Sequence, residues 1–491
     1  MEVKINFFEG PFAANFKYAF IHTKSREPKQ ILLKIRLKFF LIINFNAMEL
    51  FLIIVFVLGY IAISIEHTIK INKLIPALLM MGICWASISF GINGITSWLD
   101  PQSSELINIS SFGFEKRMVL LEQTLLHHFG KTAEILFFLI GAMAIVEMID
   151  HFEGFNSINR LIKTNKKITL LWIISFIAFF LSAIIDNLTT TIVLITIIRK
   201  ILHETSDRMW FSGLIVIAAN AGGAWTPIGD VTTTMLWMAE KVTTQKLILL
   251  LSIPSFINIL VPLIIASFMP VFKGNVTKIE DDGVKKQYSS IILIAGLVLI
   301  ILVPIFKTTT HLPTYIGMML SLSIFAVLAE ILSNRMIRLK SEVERKEEHT
   351  GPTLSALSKI DIPSVLFFLG VLMTVSAMES IGTISNFGQT VSQYIPETLF
   401  VTLLGLCSAV IDNVPLVAAS IGMFTAAPDA NVWHFIAYAA GTGGSILILG
   451  SAAGVVAMGM EKISFVWYLK NISLLAIAGY FAGIGVFLLL V

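Results

Sequence analysis

Long apolar runs separated by short polar stretches dominate the chain. They fall at roughly 49–65, 74–95, 132–149, 168–198, 209–239, 247–272, 289–306, 312–334, 362–382, 398–427, 432–460 and 463–491. Each exceeds the length of a strand, and lipid admits only helices or closed barrels, so all are expected to be helices. The pattern predicts an all-α polytopic membrane protein.

Two runs have anomalous lengths. The run 168–198 contains 31 residues and a single charge, Asp186, near its middle. One span needs about 20 residues, so it is long for one crossing and short for two. Arg160, Lys163, Lys166 and Lys167 precede it, and Arg199, Lys200 and Arg208 follow. A re-entrant hairpin over 168–203 puts both basic clusters on the cytoplasmic side, as the positive-inside rule prefers. The run 398–427 has the same form around Asp412, and no Lys or Arg occurs between Lys359 and Lys462. A second hairpin, 396–427, is therefore expected to enter from the opposite face.

The two halves echo each other. Ser182-Ala-Ile-Ile-Asp-Asn-Leu188 matches Ser408-Ala-Val-Ile-Asp-Asn-Val414, at an offset of 412 − 186 = 226. Leu136-Phe-Phe138 matches Leu366-Phe-Phe368, at 366 − 136 = 230. After each hairpin comes a run interrupted by glycines, Asn220-Ala-Gly-Gly-Ala-Trp-Thr-Pro-Ile-Gly-Asp230 and Gly441-Thr-Gly-Gly-Ser-Ile-Leu-Ile-Leu-Gly-Ser451, at 441 − 220 = 221. These matches predict an inverted repeat. Each half would hold about five transmembrane helices and one hairpin, with broken helices at the centre, a secondary-transporter signature. The first repeat covers 48–272, with a broken helix over 209–240. A cytoplasmic linker follows at 273–288. The second repeat covers 289–491, with a broken helix over 432–460.

Residues 1–47 carry eight Lys or Arg against three Glu, and alternation of the spans would place them outside. We read them as a basic N-terminal extension, with Met48 as the expected start of translation.

Composition agrees with the pattern. Of the 491 residues 56% are hydrophobic and 14% charged, against about 25% charged in soluble chains. That argues against a disordered or soluble protein. The two cysteines, Cys84 and Cys407, form no metal-binding or disulfide pattern. No nucleophile elbow, phosphate loop or dinucleotide fingerprint is present, so no enzyme, cofactor or nucleic-acid partner is expected.

The polar residues inside the runs suggest the chemistry. A carboxylate at the membrane midplane costs roughly 2.5–3.5 kcal/mol and needs a partner or a task. Asp186 and Asp412 can cap the helices that follow them, and a cap at a hairpin tip can also face a cavity. Asn187, Thr189 and Asn413 sit beside them, and the first break adds Asn220, Thr226 and Asp230. Secondary candidates are Thr190, Thr233, Thr442, Ser445, Ser451, Glu147, Asp150 and Glu379. Thr232 to Thr234 are also expected to bond back to helix carbonyls. No Lys or Arg lies within the four interrupted segments. An acidic, oxygen-rich centre favours a small hard cation such as Na⁺ or Li⁺ at Asp186, Asp230 and Asp412. A carboxylate there can also hold a proton, so mutually exclusive occupancy would give exchange.

The stretches SAIIDNLTTT at 182–191, NAGGAWTPIGDVTTT at 220–234, SAVIDN at 408–413 and FFLIGAMAIVEMIDHFEGF at 137–155 resemble the NhaD-type sodium/proton antiporters. These belong to an ion-transporter superfamily that includes arsenite pumps and dicarboxylate carriers. The resemblance spans about 48–491. It implies expulsion of Na⁺, often with Li⁺, driven by inward H⁺ flow in a bacterial-type inner membrane, and pairing as homodimers. Dicarboxylate carriers of the superfamily have Ser-Asn-Thr at both hairpin tips. The Asp-Asn-Leu-Thr and Asp-Asn-Val-Pro of this chain depart from that pattern towards a cation. Alternatives are a small-anion carrier and a passive cation channel.

Overall fold

The computed structural model describes residues 46–491, apart from 65, 67–69, 101–104, 160, 161, 163, 277–287 and 340–350. All but the last two residues of the extension at 1–47, and most of the 273–288 linker, therefore lie outside the described residues.

The first half holds α1 (Ala47–Ser64), α2 (Leu74–Gly91), α3 (Phe114–His151), α4 (Lys167–Ile185), α5 (Asn187–Ile201), α6 (Thr205–Gly223), α7 (Val231–Met238) and α8 (Thr244–Ser267). The second holds α9 (Ser289–Thr310), α10 (Thr314–Leu339), α11 (Pro352–Lys359), α12 (Ile362–Ser380), α13 (Thr383–Tyr394), α14 (Glu397–Cys407), α15 (Asn413–Met423), α16 (Asn431–Gly443), α17 (Ala452–Glu461), α18 (Phe465–Asn471) and α19 (Ser473–Leu490). Among the described residues eight helices are long and apolar enough to cross a membrane: α2, α3, α4, α8, α9, α10, α12 and α19. The protein is an all-α polytopic membrane protein.

Three elements differ from the expected runs. Helix α3 has 38 residues, about 57 Å at 1.5 Å per residue, although the apolar run covers only 132–149. Its first half mixes Glu115, Lys116, Arg117 and Glu122 with Val119, Leu121 and Leu125, which dilutes the hydropathy without breaking the helix. The polar stretch after α12 forms an amphipathic helix, α13. The run 463–491 divides into α18 and α19, and α17 meets α18 at a bend of 111°.

A short antiparallel pair, β1 (Ser97–Leu99) and β2 (Leu106–Asn108), joins α2 to α3. Arg117 holds this connection. Its buried guanidinium donates to the carbonyls of Ile92 (2.7 Å), Ile95 (2.9 Å) and Phe112 (2.9 Å), where the chain leaves helical pairing. The described start of the linker is pinned to α4, with Lys167 N–H donating to Gly274 O and Val276 N–H to Asn165 O.

Helix α4 packs on α6 and α5, and α14 packs on α16. In both halves the close approach depends on glycine. A Cβ on Gly222 would collide with the carbonyl of Phe179 in α4, and one on Gly443 with the carbonyl of Gly405 in α14. The offsets between these pairs, 443 − 222 = 221 and 405 − 179 = 226, are those of the sequence matches. A serine repeats the relationship. Ser182 Oγ donates to Ala219 O at 2.6 Å, and Ser408 Oγ to Ala440 O at 2.8 Å.

Candidate functional site

The interruptions fall at Asp186, just before Asp412, and in the glycine-flanked stretches after α6 and α16. Helix α4 ends and α5 begins at Asp186, which alone separates them. Its φ of 93° and ψ of 158° lie in a region that L-residues rarely enter. The carboxylate compensates by accepting Thr189 N–H (2.7 Å) and Thr189 Oγ1 (2.9 Å). Asp412 caps α15 through Val414 N–H at 3.2 Å. Between α6 and α7 the 224–230 stretch turns outside either helix, and Ser451 caps α17 after the corresponding break through Gly454 N–H.

Asp230 also occupies a cap position, yet its carboxylate makes no capping bond to the following turn. It is 3% exposed and accepts from three side chains. Thr232 Oγ1 donates to Oδ2 at 2.6 Å, Asn413 Nδ2 to Oδ2 at 2.9 Å, and Asn187 Nδ2 to Oδ1 at 3.3 Å. Asn187 Nδ2 also reaches Asn220 Oδ1 at 2.9 Å, and Asn220 Nδ2 donates to Ser451 Oγ at 2.9 Å. One buried chain of polar groups thus joins the starts of α5 and α15 to α6 and to the caps of α7 and α17, with Asp230 as its single carboxylate.

Several hydroxyls at and beside the breaks donate to backbone carbonyls. Thr226 donates to Ala183 O (2.6 Å), Thr233 to Asp230 O (2.9 Å), and Thr234 to Pro227 O and Asp230 O (both 2.9 Å). Thr442 bonds back to Tyr438 O, and Ser445 to Thr442 O. Thr190 Oγ1 is buried with no hydrogen-bond partner. In the threonine run it is Thr232, not the secondary candidate Thr233, that touches the carboxylate, because Thr233 turns back onto its own helix.

Asp186, Asn187, Thr189, Asp230, Asp412 and Asn413 all line one cavity of about 90 Å³. Asn220 stands directly behind it. Thr226, Thr190, Thr233, Thr442 and Ser445 do not line it. Among the described residues no three carboxylate, imidazole or thiolate side chains converge to hold a metal. A cation beside any of these aspartates would complete its shell with hydroxyl, amide or carbonyl oxygens, as hard cations accept.

Sequence reasoning missed one cation. Lys73, at the start of α2, lines the same cavity with its Nζ 3.8 Å from Asp412 Oδ2 and 4.4 Å above the Phe367 ring. A smaller cavity adjoins there, lined by Lys73, Asp412, Ser451, Tyr60 and Glu66. The only signal in the sequence was a lysine heading an apolar run, a common place for an interfacial anchor.

A third cavity, of about 550 Å³, uses the same helices further along. On α7 the lining passes from Val231 and Thr234 to Met235 and Met238, and on α15 from Asn413 and Val414 to Ala418 and Ile421. On α12 it passes from Ser364 and Phe368 to Leu372 and Glu379, and on α3 from Ala142 and Leu139 to Ile135 and His128. Glu379 therefore belongs to the larger cavity, with Glu134, His127, Lys131 and Lys241. Glu147 and Asp150, near the end of α3, line none of the three. Trp225 stacks on Phe179, with ring centres 5.8 Å apart, and packs into the core.

Buried polar groups on interrupted helices, reached by cavities within a bundle of apolar spans, define a multi-pass membrane transporter. The fold is similar to that of the Alcanivorax borkumensis YdaH transporter, with a TM-score of 0.51 at 11% identity over 84% of this chain and 97% of that one. The chain belongs to the citrate-transporter family CitMHS, whose model matches residues 51–443. It is 39% identical over 442 residues to sodium/proton antiporter 1 of Arabidopsis thaliana, covering 89% of this chain and 71% of that protein. It is 29% identical over 461 residues to the Na⁺/H⁺ antiporter NhaD of Vibrio cholerae, covering 89% and 91%.

Proposed function

We propose that the protein exchanges cytoplasmic Na⁺, and Li⁺, for external H⁺, through competition of cation and proton for buried carboxylates. The observation that carries this reading is the environment of Asp230. Its carboxylate is removed from water, held by three neutral donors, and shares a cavity with Asp186 and Asp412. An isolated charge in such a place is costly unless neutralised. A proton or a monovalent cation each does this, and each leaves less reason for the other to bind. The relatives named as sodium/proton antiporters support the same reading.

On this reading the two halves are inverted repeats, the interrupted pairs α4–α5 and α14–α15 are hairpins from opposite faces, and α6–α7 and α16–α17 are the broken helices. The protein needs no cofactor, works in a bacterial-type inner membrane, and pairs as a homodimer. Chemical crosslinking in membranes tests the pairing.

The family description names citrate, and Lys73 supplies one positive group, so an anion carrier is the second reading. Three carboxylates face that one ammonium, and a tricarboxylate would add to the repulsion. The deciding experiment records a pH-sensitive dye in everted vesicles containing the protein. Addition of Na⁺ or Li⁺ is expected to dissipate the imposed proton gradient. Uptake of radiolabelled citrate with no response to Na⁺ or Li⁺ would replace the antiporter by the carrier.

A further inference from the structure

The three aspartates of the central cavity are balanced in different ways. Among the described residues, Asp186 and Asp230 are met by neutral side-chain and backbone donors, from Thr189, Asn187, Asn413 and Thr232. Asp412 has one backbone donor and a fixed cation, the Lys73 ammonium. The pair is loose. At 3.8 Å the ammonium is an ion-pair partner rather than a tight hydrogen-bond donor, and the two side chains are 23% and 15% exposed. From the same position the ammonium lies 4.4 Å above the face of Phe367, so it has a second partner besides the carboxylate. Lys73 and Asp412 line both the central cavity and the smaller one beside it, so a cation in either meets both.

We propose that Lys73 is a tethered competitor of the transported cation at Asp412. Na⁺ binding at the Asp412 carboxylate displaces the ammonium from the acid and leaves it the Phe367 face, and return of the ammonium helps expel Na⁺. Two cations sharing one carboxylate at this separation repel each other more strongly in a partly enclosed site than in open water. The step involves no proton transfer. The inference rests on the cation-exchange reading and adds the residue that sets apparent affinity.

The test measures equilibrium ²²Na⁺ binding by the purified full chain, and Na⁺-driven H⁺ movement in vesicles, for the unsubstituted protein, Lys73→Gln and Lys73→Arg. Lys73→Gln should lower the half-saturating Na⁺ concentration by about tenfold and slow turnover, since release loses its competitor. Lys73→Arg, which keeps the charge, should stay near the unsubstituted value. A half-saturation point that is unchanged or raised in Lys73→Gln overturns the proposal and leaves Lys73 as a structural anchor. Should Lys73→Gln fail to assemble, amine acetylation of the unsubstituted chain, read by mass spectrometry, serves instead. Na⁺ should raise the reactivity of Lys73 several-fold where choline does not, and equal reactivity overturns the proposal. A chain that binds Na⁺ but moves no H⁺ sinks the exchange reading alone. Exchange that persists with Lys73→Gln unaltered sinks the lysine alone.

Discussion

Asn413 donates from Nδ2 to Oδ2 of Asp230 at 2.9 Å, although 183 positions separate them in the chain. The contact joins the tip of the second interrupted pair to the break of the first broken helix. The position in the second half that corresponds to Asp230 holds Ser451, so the bond has no counterpart there. Asn413→Asp would bring a second carboxylate to this distance, and two like charges cannot both ionise cheaply. Na⁺-driven H⁺ movement is expected to fall at least tenfold, as read by dye response in everted vesicles. Retention of the unsubstituted rate would show that Asp230 does not carry the ion.

Asp230→Asn is expected to be more than a loss of charge. Three donors point at the carboxylate, so an amide must turn its NH₂ towards at least one of them. A buried donor left unsatisfied costs about 1–3 kcal/mol. Exchange should be lost and thermal stability lowered. Ser451→Ala removes a neutral acceptor of Asn220 and should leave most of the exchange intact. Equal effects of the two substitutions would remove Asp230 from the ion site.

Asp186→Gly separates strain from chemistry. The backbone of Asp186 costs about 1–3 kcal/mol relative to an ordinary conformation, and glycine adopts it freely. Loss of the cap to glycine costs only about a few tenths of a kcal/mol. The melting temperature of the purified variant should therefore hold or rise while exchange disappears. A fall in melting temperature would make the carboxylate chiefly a structural cap.

Glu461 is 3% exposed and accepts from Arg199 Nε at 2.6 Å and Arg208 Nε at 2.8 Å, tying the ends of α5, α6 and α17 together. Removing the acid leaves two guanidiniums facing each other, whereas removing Arg199 leaves the acid one partner. Glu461→Gln should lower the melting temperature by more than Arg199→Gln does. The opposite order would contradict the geometry.

The arrangement of the two halves is open to labelling. Single cysteines replacing Asn165 and Glu204 should react with an impermeant thiol reagent only from the cytoplasm. Those replacing Gln393 and Ala427 should react only from outside. All four positions are solvent-exposed. Reaction of Asn165→Cys and Glu204→Cys from opposite sides would turn α4–α5 into a single crossing.

The spans and their interruptions were readable because hydropathy reports burial in lipid directly, and a lone aspartate in an apolar run stands out against it. The same logic pointed to Asp186, Asp230 and Asp412, which share one cavity. It could not point to Lys73, whose role depends on the folding of α2 against α12, a contact between distant segments. Nor could it distinguish Thr232 from Thr233, since adjacent residues on a first helical turn differ only in direction. The amphipathic half of α3 and all of α13 escaped because a window tuned to apolar runs is blind to helices with one polar side.

The hydroxyls of Thr226, Thr233, Thr234, Ser182 and Ser408, each bonded to a backbone carbonyl, have a thermodynamic consequence. Broken helices ordinarily depend on water or a neighbouring chain for their orphan carbonyls, and that dependence fixes where in a bilayer a break can sit. Here part of that solvation comes from the chain itself, through Thr226 on Ala183 O and Thr234 on Pro227 O. The breaks therefore rely less on water or a neighbouring chain than an interrupted helix ordinarily does.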